Sequence, residues 1–381
     1  MQIRVERDAL VDAIGWVSRT LPARPTNPVL RNVLFSIDTS NVKPLVITTF
    51  DGDSLSDIHI AADIDTPGSV LISGQLLQAV VRMLPNAPVV MDIDDNGVKV
   101  TCGRAEFQLP VASASTFPQL PDMPAACGSV PGATLAGAVG QVAVAAGKSL
   151  ARADLLGIHV EFRGNHVRLV ATDRHRLSLR EVGWSANTTL DDIQVLVPAR
   201  AFNDIARALA SAESVDLYFD ADPKNRRYIG FEANDRRTIT QLMGEKFNEY
   251  EHIIPQASTT TVRFDSADLM EAAKRVNTIA ASRTTMINNM RLDFTESTIT
   301  LSASGENSSA REVIDCVVSG EGVEYIVFNA DYLIDGVNVV NAPITALSMT
   351  DSRRIAMLQG AAGMDADVVD NFKHLIAPSR L

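Results

Sequence analysis

The chain has 381 residues and a formal net charge of −12 at pH 7, with 46% hydrophobic and 21% charged residues. This composition predicts an ordinary globular protein, and the length predicts two or three domains rather than one core. No apolar run reaches the length of a membrane span, and the N-terminus lacks the apolar core of a secretion signal, so we expect no membrane partner.

Three cysteines lie far apart in the chain and form no C-x-x-C pair: Cys102, Cys127 and Cys316. This spacing argues against a disulfide framework and against a zinc site. We therefore expect a cytoplasmic protein that holds no metal and no cofactor.

Two predicted units recur along the chain. A short strand leading into an amphipathic helix begins near Ile3, Ser129 and Thr261, with matching leucines at Leu10, Leu135 and Leu269. An apolar strand leading into a second helix recurs with Ser73, Pro198 and Asn329 at the helix starts. Between the two units, apolar residues alternate with polar ones, as at Ile158, Val160 and Phe162, which predicts antiparallel strands.

These repeats predict an α+β fold of three similar strand-rich domains, each of about 125 residues and with two helices. Proline-containing segments near residues 121–124 and 255–258 suggest the domain boundaries. We place the domains at residues 1–125, 126–256 and 257–381.

The densest group of reactive side chains is Thr172-Asp173-Arg174-His175-Arg176-Leu177. Asp173 corresponds in the repeat to Asp51 and Gly305, and only the middle copy carries Arg-His-Arg at this turn. A hydrolase site could be drawn from Asp173, His175 and Ser178, but strand alternation gives these side chains no base-to-nucleophile arrangement. No G-x-S-x-G, P-loop or H-E-x-x-H motif occurs. We therefore predict a specialised surface in a protein that is not an enzyme and has no catalytic residues.

Basic residues concentrate on the outer faces of the predicted helices, whereas acidic residues crowd strands and turns. Arg200 and Arg207 lie opposite the apolar stripe of one helix, and Lys274 and Arg275 do so in another. Lys148 is predicted on the outer face of the helix from Thr134, and Arg24 at the end of the first helix. These are ordinary solvated faces unless the helices line one surface, in which case an acidic protein would have a basic channel.

Several motifs make the chain similar to the bacterial sliding clamps, the beta subunits of DNA polymerase III. They are ERDAL near the start, RPTNPVL from Arg24, ATDRHRLSL from Ala171, VPAR from Val197, FNADYL from Phe328 and the terminal PSRL. The resemblance covers essentially the whole chain. It implies the DNA-clamp fold, a head-to-tail homodimer that closes a ring, with helices lining the central hole around double-stranded DNA. A ring held by topology needs little affinity, which reconciles the net charge with a DNA partner.

The resemblance also implies a processivity factor in DNA replication, which is placed by a clamp loader and docks the replicative polymerase and other proteins that carry a short clamp-binding peptide. Carried over position by position, the peptide pocket consists of Leu155, Thr172, Arg174, His175, Arg176, Leu177, Asn248, His252, Ile253, Asn329, Tyr332, Pro378, Ser379, Arg380 and Leu381.

This sequence departs from the family pattern at several of these positions. The family usually has Gly at Arg174, Pro at Asn248 and an apolar residue at Ser379, so we expect a more polar pocket with a different peptide preference. The family's DNA-facing aromatic residues before Leu155 are absent. The expected DNA contacts are Arg24, Lys148, Arg152, Arg200, Arg207, Lys274 and Arg275.

The ring interface is expected to pair a first-domain strand with a third-domain stretch. The first carries Arg104, Glu106 and Phe107, and the second carries Glu306, Arg311 and Glu312. Both sides hold both signs of charge, so we hypothesise a crossed arrangement that favours self-pairing. Exposed ion pairs contribute about 0–1 kcal/mol each, so apolar packing must supply most of the closure.

One alternative is a scaffold of three repeated domains that binds proteins without encircling DNA. It would share the pocket and the acidity. It would need neither basic helices on one surface nor ring closure.

Overall fold

The structure is a computed structural model, and it describes residues 1–38, 40–94, 96–149, 152–187, 193–220, 222, 224–281, 288–305, 307–320 and 322–379. Within them, one order of elements occurs three times. The first copy consists of β1 (Gln2–Val5), α1 (Arg7–Val17), β2 (Asn32–Ile37), β3 (Leu45–Phe50), β4 (Ser54–Ile60), β5 (Asp63–Ile64), β6 (Ser69–Ser73), α2 (Gly74–Met83), β7 (Val89–Asp94), β8 (Gly97–Cys102) and β9 (Ala105–Leu109), followed by an additional β10 (Val111–Ser113).

The second and third copies keep this order. The second consists of β11 (Ala126–Val130), α3 (Gly132–Ala143), β12 (Gly157–Arg163), β13 (His166–Thr172), β14 (Arg176–Gly183), β15 (Ser185–Ala186), β16 (Ile193–Pro198), α4 (Ala199–Ala208), β17 (Val215–Phe219), β18 (Tyr228–Ala233) and β19 (Arg236–Gln241). The third consists of β20 (Thr260–Asp265), α5 (Ser266–Ala280), β21 (Asn289–Phe294), β22 (Thr298–Ser304), β23 (Ser309–Asp315), β24 (Val317–Gly320), β25 (Tyr325–Asn329), α6 (Ala330–Val340), β26 (Ile344–Met349), β27 (Ala356–Ala361) and β28 (Phe372–Ile376).

The predicted repeat of strand-rich copies with two helices each is therefore confirmed. The matching leucines Leu10, Leu135 and Leu269 are all buried. The second helices begin directly after Ser73, Pro198 and Asn329. Asn329 caps α6, because its Oδ1 accepts hydrogen bonds from the backbone N–H groups of Asp331 and Tyr332 at 2.9 and 3.3 Å.

Two predicted helix ends are wrong. Helix α1 ends at Val17 and the chain continues in tight turns, in which the N–H of Arg19 bonds to the carbonyl of Trp16, so Arg24 lies beyond the helix. Helix α3 ends at Ala143 and the chain again tightens, with the N–H of Ala146 bonded to the carbonyl of Ala143. Lys148 therefore does not lie on the outer face of that helix.

The chain forms two compact units. The first contains Met1–Leu135, Trp184–Thr189 and Asp204–Leu242, and the second contains Ala136–Gly183, Leu190–Asn203 and Met243–Leu381. The first unit holds a sheet of order β5-β1-β7-β8-β9 and a larger one of order β10-β6-β2-β3-β4-β19-β18-β17-β11-β15. The second holds β16-β12-β13-β14-β28-β27-β26-β20-β24 and β23-β22-β21-β25.

Successive copies are joined by one kind of strand pairing. The third strand after the first helix of one copy pairs with the final strand of the next copy. Thus β4 pairs with β19 and β14 pairs with β28, both antiparallel. The same rule would pair β23 with β9. Within the described residues, however, β23 and β9 each stand at the edge of a sheet.

No helix in the described part of the chain is long and apolar enough to cross a membrane.

Candidate functional site

The turn between β13 and β14 is organised by the carboxylate of Asp173. Its Oδ1 accepts hydrogen bonds from the backbone N–H groups of His175 and Arg176, both at 3.0 Å. In the first copy, Asp51 caps the equivalent turn, accepting from the N–H groups of Asp53 and Ser54 at 2.9 and 2.7 Å. The turn is therefore a feature of the repeat rather than a device of one site.

The residue after the capping aspartate has a positive φ in both copies. Gly52 has a φ of +111°, and Arg174 has a φ of +79°. Glycine adopts such conformations without steric cost, whereas a residue with a Cβ atom is strained there. Arg174 thus occupies a position that the backbone shapes for glycine, and its side chain is exposed to solvent.

Arg176 is held firmly inside the second unit. Its Nε donates to Asp173 Oδ2 at 3.0 Å and its Nη1 donates to Asp335 Oδ2 at 2.7 Å. The guanidinium also lies over the ring of Tyr332, 4.4 Å from the centroid. Two acidic partners and an aromatic face leave little of this cation free for a ligand, so Arg176 acts as a fixed support for the Tyr332 ring.

The hydrolase arrangement of Asp173, His175 and Ser178, which the sequence argued against, does not form among the described residues. Ser178 is hydrogen-bonded to His374, with 2.7 Å between Oγ and Nδ1, and the ring of His175 stacks near that of Tyr332. Asp173 Oδ1 is used by backbone N–H groups, and its Oδ2 by Arg176. Asp173, His175 and Ser178 therefore have separate partners.

Near these residues the second unit contains an open cleft of about 590 Å³. Its wall combines apolar and polar surface in about equal parts. The apolar residues are Tyr325, Val327, Ile355, Ala377 and Pro378, and the polar residues are Ser352, Arg353 and Ser379. Backbone hydrogen bonds fix the C-terminal wall, because the N–H of Ala377 donates to the carbonyl of His175 and that of Ser379 to the carbonyl of Val327, both at 2.8 Å. The cleft is thereby linked to the Asp173 turn.

The Tyr325 ring of the cleft packs against an ion pair. The guanidinium of Arg291 lies 3.8 Å from the Tyr325 ring centroid. Its charge is compensated by Asp293, whose Oδ1 accepts from Arg291 Nη2 at 2.6 Å. The hydrogen bonds to Asp293 raise the pKa of Arg291. The stacked ion pair holds the tyrosine as a rigid apolar surface.

Arg353 is the unpaired cation of the cleft. It lies in a turn in which Asp351 Oδ1 accepts from the N–H groups of Arg353 and Arg354 at 2.7 and 2.9 Å. Asp351 Oδ2 lies 3.3 Å from Nε of Arg354, so this carboxylate compensates Arg354 rather than Arg353. Within the described ranges no acidic group lies within ion-pair distance of the Arg353 guanidinium, although the whole chain is acidic.

A segment between residues 247 and 253 is fixed to the sheet of the second unit by a buried polar network. Tyr250 accepts a hydrogen bond from Arg168 Nη1 at 3.3 Å and donates one to Glu161 Oε1 at 2.8 Å. The rings of His159 and Phe247 stack at 4.7 Å. Burial disfavours the ionised form of Glu161, but hydrogen bonds with His159 and Tyr250 outweigh it and lower the pKa of this carboxyl. The network places Asn248 and Ile253 beside the Leu177 core.

Comparison with known proteins identifies the whole chain. Residues 1–121, 129–249 and 251–380 match the models of the N-terminal, central and C-terminal domains of the DNA polymerase III beta subunit. The beta sliding clamp of Streptomyces coelicolor is 36% identical, with all of both chains covered.

The chain belongs to the bacterial beta sliding clamp family.

Two further similarities are informative. A beta sliding clamp homolog from Streptomyces muensis, GriR, is 32% identical over 100% of this chain and 99% of that one. A crystal structure of the Pseudomonas aeruginosa sliding clamp bound to griselimycin has a TM-score of 0.90 and 24% identity, with both chains fully covered. That second likeness supports the clamp fold.

Most residues expected in the peptide pocket lie in the second unit and are joined by direct contacts. Thr172 Oγ1 donates to the carbonyl of Arg176 at 2.7 Å, and Asn248 Nδ2 donates to Asp154 Oδ2 at 3.4 Å. Leu177 is buried in an apolar cluster against which Ile253 and Ile355 pack, and Ile355 also lines the cleft. Leu155 is buried and His252 is exposed. Arg380 and Leu381 lie outside the described residues.

Most of the described cleft residues were not expected from the sequence. Pro378 and Ser379 were expected, whereas the other residues were not: Tyr325, Val327, Ser352, Arg353, Ile355 and Ala377. A signal for Arg353 was present in the polar stretch Asp351-Ser352-Arg353-Arg354 between two apolar strands, because an aspartate at a turn start often caps the following backbone.

The cations expected to contact DNA fall into two groups. Arg24, Lys148, Arg200, Arg207 and Lys274 are exposed. Arg152 is instead bound to Asp154 through contacts of 2.9 and 2.7 Å, which lower the pKa of that carboxyl. Arg275 is bound to Glu312, with its Nε 3.0 Å from Oε2, and to Glu271 at 3.3 Å. The charges of Arg152 and Arg275 are thus largely compensated within the chain.

The residues expected at the ring interface lie on the two free sheet edges. Arg104, Glu106 and Phe107 lie in or beside β9, and Arg311 and Glu312 lie in β23, whereas Glu306 lies outside the described residues. Glu106 pairs with Lys99 at 3.1 Å in the same chain. Three apolar side chains near these edges are unusually exposed, although nothing in the sequence singled them out: Leu76, Met83 and Val313.

Proposed function

We propose that this chain is a DNA sliding clamp, which closes as a head-to-tail homodimer around double-stranded DNA and tethers a replicative polymerase to its template. Membership of the beta sliding clamp family supports this function over that of a scaffold that does not encircle DNA. The observation that carries the proposal is the free pair of sheet edges. Within the chain, β4 pairs with β19 and β14 pairs with β28. The same pairing of β23 with β9 would need a second molecule of this protein.

Closure by these edges accounts for the symmetry of the assembly. An edge strand exposes unpaired backbone groups, and proteins normally cover or pair such edges. When β23 of one molecule pairs with β9 of a second, β9 of the first and β23 of the second remain free. These two strands can then pair and close the ring. Exposed Val313 on β23 and Leu76 and Met83 on α2 supply apolar area for the junction.

The DNA contacts are proposed to be weak and independent of sequence. Exposed Arg24, Lys148, Arg200, Arg207 and Lys274 can neutralise phosphates, whereas Arg152 and Arg275 are already paired. A net charge of −12 suits a ring that slides and is held by topology rather than by affinity. Such a ring is a non-catalytic processivity factor. A cytoplasmic location is supported by three cysteines that are free and buried.

Processive synthesis tests the encircling function. A clamp loader and polymerase from a related bacterium would be added to a singly primed circular template, with and without this protein. We expect the products to lengthen severalfold when the protein is present. A scaffold that does not encircle DNA would leave the product length unchanged, provided that the loader's activity is verified with its own clamp.

The cleft beside the Asp173 turn is proposed to dock a short peptide of partner proteins, including the loader and the polymerase. The apolar part of its wall fits apolar anchor side chains. Arg353, which has no acidic partner among the described residues, fits a carboxylate. Arg291, Arg354 and Arg176 each already have an acidic partner. We therefore expect peptides with an aspartate or glutamate next to apolar anchors to be preferred.

Matched peptides test this docking site. Hexapeptides with leucine and phenylalanine anchors would carry one aspartate at each remaining position in turn, with asparagine versions as controls. At low salt we expect one aspartate position to bind about 3–10-fold more tightly than its asparagine counterpart, because a partly exposed charged pair contributes modestly. Fluorescence anisotropy measures the difference.

Two neighbouring arginines provide the control. Arg353→Gln should abolish the preference for aspartate, and Arg354→Gln should leave it intact. A preference that survived Arg353→Gln would contradict the assignment of this cation. Failure of every peptide to bind would contradict docking at the cleft itself.

A further inference from the structure

The repeat determines which residues would face each other across the subunit junction. The three hairpins that lead to the joining strands close with equivalent pairs, Phe50 with Leu55, Thr172 with Leu177, and Ser304 with Ser309. Counting onward from these pairs, Asp57 in β4, Leu179 in β14 and Arg311 in β23 occupy one equivalent position. Ser56, Ser178 and Ala310 occupy the position before it.

The strands on the other side can be aligned in the same way. The β18–β19 hairpin closes with Ala233 opposite Arg236, and the β8–β9 hairpin closes with Cys102 opposite Ala105. Two residues separate the strands in each turn. Glu106 is therefore equivalent to Arg237, and Phe107 is equivalent to Thr238.

The joint between β4 and β19 shows what this position can hold. Asp57 lies opposite Arg237 in the register, and the two form a bidentate ion pair with contacts of 2.9 and 3.2 Å. Asp57 is nine-tenths buried, so its charge depends on this partner. One residue away, the hydroxyl groups of Ser56 and Thr238 are 3.0 Å apart.

The joint between β14 and β28 keeps the register with different chemistry. Leu179 lies opposite Lys373, and Ser178 lies opposite His374, to which it is hydrogen-bonded at 2.7 Å. The ion pair is therefore not required by the fold, whereas the register is common to both joints.

We propose that the subunit junction repeats this register, with Glu106 of one subunit directly opposite Arg311 of the other and Phe107 opposite Ala310. This inference rests on the proposed homodimer and specifies its contacts. The charges of this ion pair would be exchanged relative to the β4–β19 joint. There β4 supplies the acid and β19 the cation, whereas at the junction β23 would supply the cation and β9 the acid. Phe107 and Ala310 would replace a pair of hydrogen-bonded polar residues by an apolar pair.

The surroundings of both residues fit this arrangement. In the described residues Arg311 is exposed and has no acidic partner within ion-pair distance. Glu106 has 59% of its side chain exposed, and its only ion-pair partner in the described part of the chain is Lys99. Glu312, the neighbour of Arg311, is held by Arg275 and would lie opposite Ala105. The exchanged charges favour pairing with a second molecule of this protein. A clamp with an acidic residue at the position of Arg311 would place two acids opposite each other.

Cysteine cross-linking tests the register. In antiparallel sheets, directly opposed residues lie about 4.5–5.5 Å apart between Cα atoms, whereas diagonal neighbours lie about 7–8 Å apart, beyond the usual reach of a disulfide. The double variant Phe107→Cys/Ala310→Cys should form an intersubunit disulfide under mild oxidation. The matched control Ala105→Cys/Ala310→Cys, displaced by two residues, should not. Cross-linking of the control instead of the test pair would overturn the register.

Charge exchange tests the ion pair. In sedimentation equilibrium, Glu106→Arg and Arg311→Glu should each weaken the dimer by about 30-fold, since a closed ring contains the contact twice. The double exchange should recover at least tenfold of that loss. Single variants that dimerise like the unmodified protein, or a double variant no better than the singles, would overturn the pairing. If the unmodified protein is monomeric at micromolar concentration, the homodimer itself is contradicted.

Discussion

Arg174 has a backbone conformation that is unfavourable for a residue with a Cβ atom. Its φ of +79° lies where Gly52 has +111° in the first copy, so the turn favours a residue without a Cβ atom. We expect Arg174→Gly to raise the free energy of unfolding by up to about 1 kcal/mol, because relief of left-handed strain exceeds the added entropy of the unfolded chain. Arg174→Ala keeps the strain and should bring no gain.

Urea unfolding of the two variants, followed by the transition of the second unit, checks this expectation. A glycine variant that is less stable than the unmodified protein would show that the Arg174 side chain makes a stabilising contact. Since the cation is exposed at the edge of the candidate peptide site, its retention despite strain is consistent with a role in binding.

At the scale of elements, His374 joins β28 to β14 and α6. It is completely buried, its Nδ1 is hydrogen-bonded to Ser178, and a Cβ atom on Gly336 of α6 would lie 2.7 Å from its ring. Burial, together with the charge of Arg176, lowers the pKa of His374 from 6.5 to about 3. The histidine therefore stays neutral in the folded protein at neutral and mildly acidic pH.

This lowered pKa predicts a loss of stability in acid. Below about pH 6.5, His374 is protonated in the unfolded chain but remains neutral in the folded protein. The free energy of unfolding therefore falls as the pH decreases toward 3. This group alone contributes a slope of about 1.4 kcal/mol per pH unit. His374→Asn can keep a hydrogen bond to Ser178 and should lack this slope. Parallel stability curves of the two proteins between pH 7 and 5 would contradict the assignment.

The sequence predicted the repeated elements well, because strand alternation, helix periodicity and the starts at Ser73, Pro198 and Asn329 are local signals. It failed where the outcome depends on tertiary contacts. Arg275 resembles any solvated helix arginine in sequence, and only the fold brings Glu312 to it. The ends of α1 and α3 were missed because tight turns replaced a further helical turn, and the cleft residues come from strands distant in the chain.

At the scale of the whole molecule, the strand pairing supports the proposed ring. Two joints of one kind are made within the chain, and two edges, β23 and β9, are left for a third. The acidic net charge disfavours tight binding to DNA. Both features make sense if closure around the duplex, rather than affinity, holds the protein in place.

Retention on DNA after loading tests this most directly. The protein would be loaded by a verified clamp loader onto a nicked circular duplex, half of which is then linearised, and both samples would be passed through a sizing column at high salt. We predict that the protein stays with the circle and is lost from the linear DNA, because salt removes phosphate contacts but does not open a closed ring. Equal loss from both forms would contradict encirclement and would favour a dimeric scaffold.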